Sequence, residues 1–298
     1  MPAPEGHCWL CNRYGKLTRE HIPPESAFND CPLLLMKVDE RSSKTGLLEW
    51  TSSQDFQRGL YFRSLCQGCN NRYGSKYGGA YVDLVRRIAE RIGDIRECHR
   101  TSILGIKRPL AILKQVMLQF VTANGPNFVR TNEWVAPFIR NRLNTAIPRD
   151  IAIYVFASNA RTSRNSGVSA HIDTKGTHVV SEFTFWPLGT VISFQGELTD
   201  DRLTPIHQWA QYPFDFSGLV DLHLCVNPIN TAYPVDFRTE SQVKSGATSQ
   251  EEPSAGLFRE EDLRDMTEKA AKISGEEEKE SWIYSGHPST FRRIPGKR

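Results

Sequence analysis

Apolar positions fall into two textures along the chain. Between residues 75 and 95, Tyr81, Leu84, Val85, Ile88 and Ile92 recur at helical spacing, while Arg86, Arg87 and Arg91 lie largely on other faces. This pattern predicts an amphipathic helix with Gly93 as its stop. Two more helices are predicted: one over 109–122, opened by a proline in its first turn, and one over 132–143, interrupted at Pro137. The triplet Asn124-Gly125-Pro126 separates them. After Pro148 the runs become short and apolar or alternating, at 151–157, 168–173, 179–186, 190–196 and 219–226. They predict strands joined by turn-rich loops such as Thr174-Lys175-Gly176-Thr177, and together an antiparallel sheet. From residue 239 the pattern dissolves into a flexible linker and then, over 257–280, a charge-dense helix that only a partner would order. The segment before residue 75 is rich in turn formers and poor in long apolar periods, as expected where a metal rather than a large core fixes the backbone.

Composition supports folded cores. A chain of 298 residues, 39% of them hydrophobic and 10% aromatic, is long enough for two modest domains. No run approaches the roughly 18 consecutive apolar residues of a membrane helix. The opening Met1-Pro2-Ala3-Pro4-Glu5-Gly6-His7-Cys8 lacks the basic and apolar regions of a secretory signal. A cytoplasmic setting without a membrane partner is therefore expected. The net charge of +3 conceals an asymmetry: residues 1–150 carry 22 Lys and Arg against 14 Asp and Glu, a net +8, and the rest carry 15 against 20, a net −5. A basic first half suggests that this part meets a polyanion, with nucleic acid the leading candidate.

Of the seven cysteines, Cys8, Cys11, Cys66 and Cys69 form two CxxC pairs, whereas Cys31, Cys98 and Cys225 are scattered. In a reducing compartment this arrangement points to metal rather than disulfides. Each CxxC knuckle brings two thiolates to one tetrahedral ion, so the four sulfurs would fill the shell of a structural zinc and leave no open position. The 54 residues between the pairs are too many for a simple zinc ribbon.

Between the knuckles lies Leu17-Thr18-Arg19-Glu20-His21-Ile22-Pro23-Pro24, and the second knuckle continues as Cys66-Gln67-Gly68-Cys69-Asn70-Asn71-Arg72-Tyr73-Gly74. The Glu-His-Ile-Pro-Pro segment and the CxxC-Asn-Asn helix entry resemble the zinc-bearing, treble-clef branch of the HNH endonuclease family. The resemblance covers the first 90 or so residues. It implies a zinc-anchored ββα-metal module that hydrolyses phosphodiester bonds, leaving 5′-phosphate and 3′-hydroxyl ends. In that scheme His21 is the general base, Glu20 and Asn70 bind one Mg²⁺ or Mn²⁺, and Asn71 caps the helix or orients the phosphate. Arg19, Arg63, Arg72 and Lys76 would hold flanking phosphates, and the substrate would be double-stranded DNA, with RNA left open. Many members carry Asn five residues before the second CxxC, where it steadies the base strand. This chain has Tyr61 there, and Asn29 and Gln54 are the candidates to replace it.

Other residues carry less. His7 is an alternative zinc ligand. His171 and His223 lie on predicted strands and could face each other across the sheet as ordinary sheet histidines. Cys98-His99 is too isolated for a metal site, and the aromatics of 183–186 with Phe194 and Trp209 read as core. The expectation is an α+β protein. Residues 1–96 would form the HNH module, 97–238 a helical then β-rich domain of unassigned role, and 239–298 a linker and charged, partly disordered tail that could reach a protein partner. A role in phage defence or mobile-element biology follows from analogy with similar nuclease-containing chains. The alternative is a catalytically inactive zinc module that binds nucleic acid or a protein.

Overall fold

The computed structural model describes residues 3–39, 49–93, 100–160, 162–173, 176–227, 229, 235–237, 241, 272–273 and 289–293. Strand β1 (Glu5–His7) pairs antiparallel with β2 (Tyr14–His21), and the first CxxC pair sits in the turn between them. The chain then forms the antiparallel pair β3 (Leu33–Asp39) and β4 (Glu49–Phe56), and returns as β5 (Tyr61–Cys66) along the other edge of β2. Strand β5 runs directly into α1 (Gln67–Tyr73), which continues through a π-helical turn over Gly74–Gly78 into α2 (Gly79–Ile92). Three glycines in and beside that turn weaken the regular helical ladder there. Tyr73, Tyr77 and Tyr81, four residues apart, all face inward. The helix begins at Gln67 rather than 75, because the second knuckle supplies a start that apolar periodicity does not reveal. It ends as expected at Gly93, whose φ is 43°.

Strand β6 (Arg100–Ile106) precedes α3 (Pro109–Asn124), which is buried on every side from Pro109 to Thr122. A helix without a polar face belongs at the centre of a core. Its one cation, Lys114, donates to the carbonyl oxygens of Phe138, Asn141 (3.2 Å) and Asn144 (2.7 Å). Its ammonium lies 3.8 Å from the Phe138 ring centroid. Burial pushes Lys114 down to about 7, while the carbonyls and ring favour its charged form.

The helix expected over 132–143 is shortened to α5 (Val135–Arg140), and a short helix outside the expected range, α4 (Pro126–Thr131), precedes it. Pro126 opens α4, and Pro137 falls in the first turn of α5, where a missing N–H costs nothing. Asn132 does not start a helix. Its side-chain amide donates to the Phe128 carbonyl at 2.8 Å and finishes α4.

The remaining strands are β7 (Ala152–Ser158), β8 (Thr162–Asp173), β9 (Gly176–Phe185), β10 (Leu188–Ser193), β11 (Thr204–Pro205), β12 (Val220–Asn227) and β13 (Ser289–Arg293). A 3-10 turn over His207–Gln211 lies between β11 and β12. The large sheet has the order β4-β3-β13-β8-β9-β10-β7-β12-β6, with β11 beside β7. Its pairing is antiparallel as expected except between β12 and β7, which run parallel at Val226 and Ala157. Ile22, Leu60, Tyr81, Leu113, Phe128 and Ile153 belong to one apolar cluster. Sheet and core therefore both cross residue 96, and the first 75 residues donate to a large core as well as carrying the four CxxC cysteines. Among the described residues no helix is long and apolar enough to cross a membrane. The linker and helix expected over 239–280 fall almost wholly outside the described residues, as does Cys98-His99.

Candidate metal centre

The β1–β2 turn presents Cys8 and Cys11, while Cys66 stands immediately before α1 and Cys69 in its first turn. The four sulfurs lie within 4.8 Å of one another, and Cys11 Sγ and Cys66 Sγ are 3.8 Å apart. A tetrahedral zinc with metal–sulfur bonds of about 2.3 Å has sulfur–sulfur edges of about 3.8 Å. Donor type and spacing thus fit a metal ion such as zinc. Crowding already differentiates the thiols: a hydrogen bond from Cys69 holds Cys8 down to about 4, and the same contact, with burial, pushes Cys69 up. His7 is not part of the cluster. Its Nδ1 is 2.9 Å from the Asn12 carbonyl oxygen and its ring meets Tyr14 edge-on.

Pairing with β1 and β5 fixes β2, and so sets the position of Glu20 and His21 at its end. Thr18 lies opposite Leu65 but Arg19 lies opposite Arg63, which leaves Ser64 as an extra residue on β5. Such a bulge sharpens the local twist just ahead of Glu20. Glu20 is 5% exposed, and burial raises its carboxyl to about 8. His21 is half-buried, and its Nδ1 is buried without a hydrogen-bond partner among the described residues. Burial is the largest influence on its imidazole and lowers its pKa; the Glu25 carboxylate and the Asn29 backbone oppose this, and Arg19 and Arg58 reinforce it. The ring is therefore neutral near pH 7, the state in which it can accept a proton.

The turn after His21 is held by Asn29, which is fully buried. Its amide nitrogen donates to the carbonyls of Pro23 (2.7 Å) and Leu60 (2.8 Å), and its Oδ1 accepts from the Leu60 N–H (2.6 Å). Gly59 makes this approach possible: with φ at +74°, a Cβ there would stand 1.7 Å from the Asn29 carbonyl oxygen. Of the two residues considered as replacements for an asparagine at position 61, Asn29 thus joins the turn to β5. Gln54 is exposed on β4, opposite Leu35.

From the helix, Asn70 Nδ2 donates to Thr18 Oγ1 (3.0 Å) and to the Arg19 carbonyl (2.7 Å). The carbonyl partner fixes the amide's orientation, leaving Oδ1 as the ligand-capable atom. Asn71 is exposed, and its carbonyl accepts the Gly74 N–H at the helix junction. Arg63 reaches back toward the Leu17 carbonyl at 3.5 Å. Arg72 is exposed on α1 and Lys76 half-buried in the π-helical turn; among the described residues neither side chain enters an ion pair.

No protein-family model, curated protein or solved structure matches the chain. The site stands on its own geometry. His171 lies opposite His178, not His223, whose Nδ1 is 2.8 Å from Ser102 Oγ. Phe183, Phe185, Phe194 and Trp209 are core, as expected. Sequence reasoning missed Arg58 and Glu25 beside His21. Neither stands in a recognisable spacing; the turn that brings them close is fixed by Asn29 and Gly59, far apart in sequence.

Proposed function

We propose that this protein is a metal-dependent endonuclease that hydrolyses DNA phosphodiester bonds, with the four-cysteine site as a zinc scaffold. The observation that carries the reading is the Asn70 amide bonded to Thr18 and Arg19, which ties the helix entry to the strand just ahead of Glu20 and His21. A neutral imidazole, a buried carboxyl and an uncommitted amide oxygen are the parts that phosphodiester hydrolysis by one divalent cation requires.

In this account His21 takes a proton from the attacking water, and burial keeps it neutral beforehand. Glu20 and Asn70 Oδ1 would hold Mg²⁺ or Mn²⁺, which supplies charge to the phosphate and to the departing 3′ oxygen. Arg19 and Arg63, on the same strand pair as His21, engage neighbouring phosphates, and Arg72 and Lys76 extend that basic track along the helix. The net positive charge of residues 1–150 suits a double-stranded polyanion, and RNA would use the same phosphate contacts.

Purified protein incubated with supercoiled plasmid and Mg²⁺ or Mn²⁺ should convert it to nicked and linear forms, and His21→Ala should lose about 100-fold or more in rate. Equal cutting by both proteins, or none by either while the protein still shifts DNA in a gel, would establish the non-cutting zinc module instead.

A further inference from the structure

The residue that departs from the resembled pattern, Tyr61, is built into the surroundings of His21. It lies directly opposite His21 in the β2–β5 register. The two rings stack with centroids 5.6 Å apart and planes 25° from parallel. The Arg19 guanidinium carbon stands 4.6 Å from the Tyr61 ring centroid. Phe56 meets the same ring edge-on at 5.3 Å and 84°. The residue before it, Leu60, is fully buried and held through both its N–H and its carbonyl by Asn29. Tyr61 is thus anchored through its backbone neighbour and through Phe56, and it touches two of the groups that the proposed reaction needs.

We propose that Tyr61 is a positioning residue whose ring sets the plane of the His21 imidazole and the place of the Arg19 guanidinium at the same time. An asparagine at this position would act by hydrogen bonds to the backbone, but here Asn29 already makes such bonds from the other side of the turn. Position 61 is therefore free to carry an aromatic face. Stacking fixes a ring's tilt without using either imidazole nitrogen, and a guanidinium on the same aromatic surface keeps its N–H groups for phosphate. Base and phosphate contact then keep a constant spacing, which in-line attack by water requires. This inference rests on the reading of His21 as the general base.

The test compares Tyr61→Leu, Tyr61→Met and Tyr61→Phe in the full-length zinc-loaded protein. Proton–carbon spectra report the ring-current shifts of the His21 Hδ2 and Hε1, and single-site oligonucleotide cleavage reports kcat and KM. Tyr61→Leu and Tyr61→Met should lose the His21 ring-current shift and lower kcat about 10- to 100-fold. Tyr61→Phe should recover both the shift and most of the rate, because the stack needs the ring and not the hydroxyl. Arg19→Ala should act mainly on KM. If His21 resonances stay unshifted in whichever aliphatic variant folds, or if that variant keeps wild-type kcat, Tyr61 does not position His21. If the wild-type protein cleaves nothing, His21 is not a catalytic base, and the spectra alone then decide whether Tyr61 orients its ring.

Discussion

Glu20 is the residue on which the proposed metal chemistry turns. Burial raises its carboxyl to about 8, so the folded protein holds this proton over a range where an unfolded chain, with a carboxyl near 4.5, has lost it. The folded state then binds more protons than the unfolded one, and the metal-free protein loses stability as pH rises from 4.5 to 8, by on the order of 1 kcal/mol per pH unit. Glu20→Gln should therefore melt above wild type at pH 8.5 and close to it at pH 4.5, with the gap opening steadily between. A bound divalent cation holds the carboxylate ionised, so Mg²⁺ should raise the melting temperature more at pH 8.5 than at pH 6, and should not do so in Glu20→Gln. An equal Mg²⁺-dependent rise in both proteins would remove Glu20 from the proposed metal site. Asn29 belongs at the same scale: Asn29→Ala strands the Pro23 carbonyl and the Leu60 N–H in a buried turn and leaves the Leu60 carbonyl only the Ile22 N–H. A loss on the order of 3 kcal/mol in urea unfolding is expected. Glu20, His21 and Asn70 stand out in the sequence as candidates, through the Glu-His-Ile-Pro-Pro segment and the CxxC-Asn-Asn helix entry. The Asn29 clamp was legible only as one of two candidates, since nothing local ties residue 29 to residue 60.

At the scale of elements, the knuckles and the helix they open act as one unit. Cys8 and Cys11 flank β1 and β2, and Cys66 and Cys69 flank β5 and α1, so an ion held by the four would tie together the ends of four elements, and its removal would free them at once. Stripping the metal with a strong chelator, or Cys69→Ser, should lower stability by several kcal/mol and release one zinc per chain, read by atomic absorption and by denaturant midpoint. A stripped protein with an unchanged midpoint would mean that the cysteines carry no structural ion. The apolar core helix α3 was readable from its sequence, but its buried Lys114 was not marked as special. Lys114 binds the carbonyls that end α5, and only the fold brings residues 138, 141 and 144 to it. Strands β4 and β6 carry neither clean alternation nor a continuous apolar run, and in β3 the apolar run stops after Leu33–Met36; β3 and β6 pair with the distant β13 and β12, and β4 pairs with β3. The helix expected from Asn132 starts only at Val135, because Asn132 uses its side chain to end α4.

For the whole molecule, the proposed nuclease parts are not a detachable bead. Strands β3 and β4, which lie between the two knuckles in sequence, enter the sheet that also contains β8, β9, β10 and β7, and one apolar cluster underlies both regions. The composition change at Pro148 marked a change of secondary structure rather than a gap between cores. The central claim for the molecule is a division of labour: a tightly held zinc that fixes the scaffold, and a second, exchangeable cation beside Glu20, His21 and Asn70 that does the chemistry. The measurement that tests it most directly is plasmid cleavage after mild chelation, with zinc content read on the same sample. Cleavage should vanish while about one zinc per chain remains, and return on addition of Mg²⁺ or Mn²⁺ to wild type but not to His21→Ala. Cleavage that persists with zinc alone, or that returns equally in His21→Ala, would contradict the account.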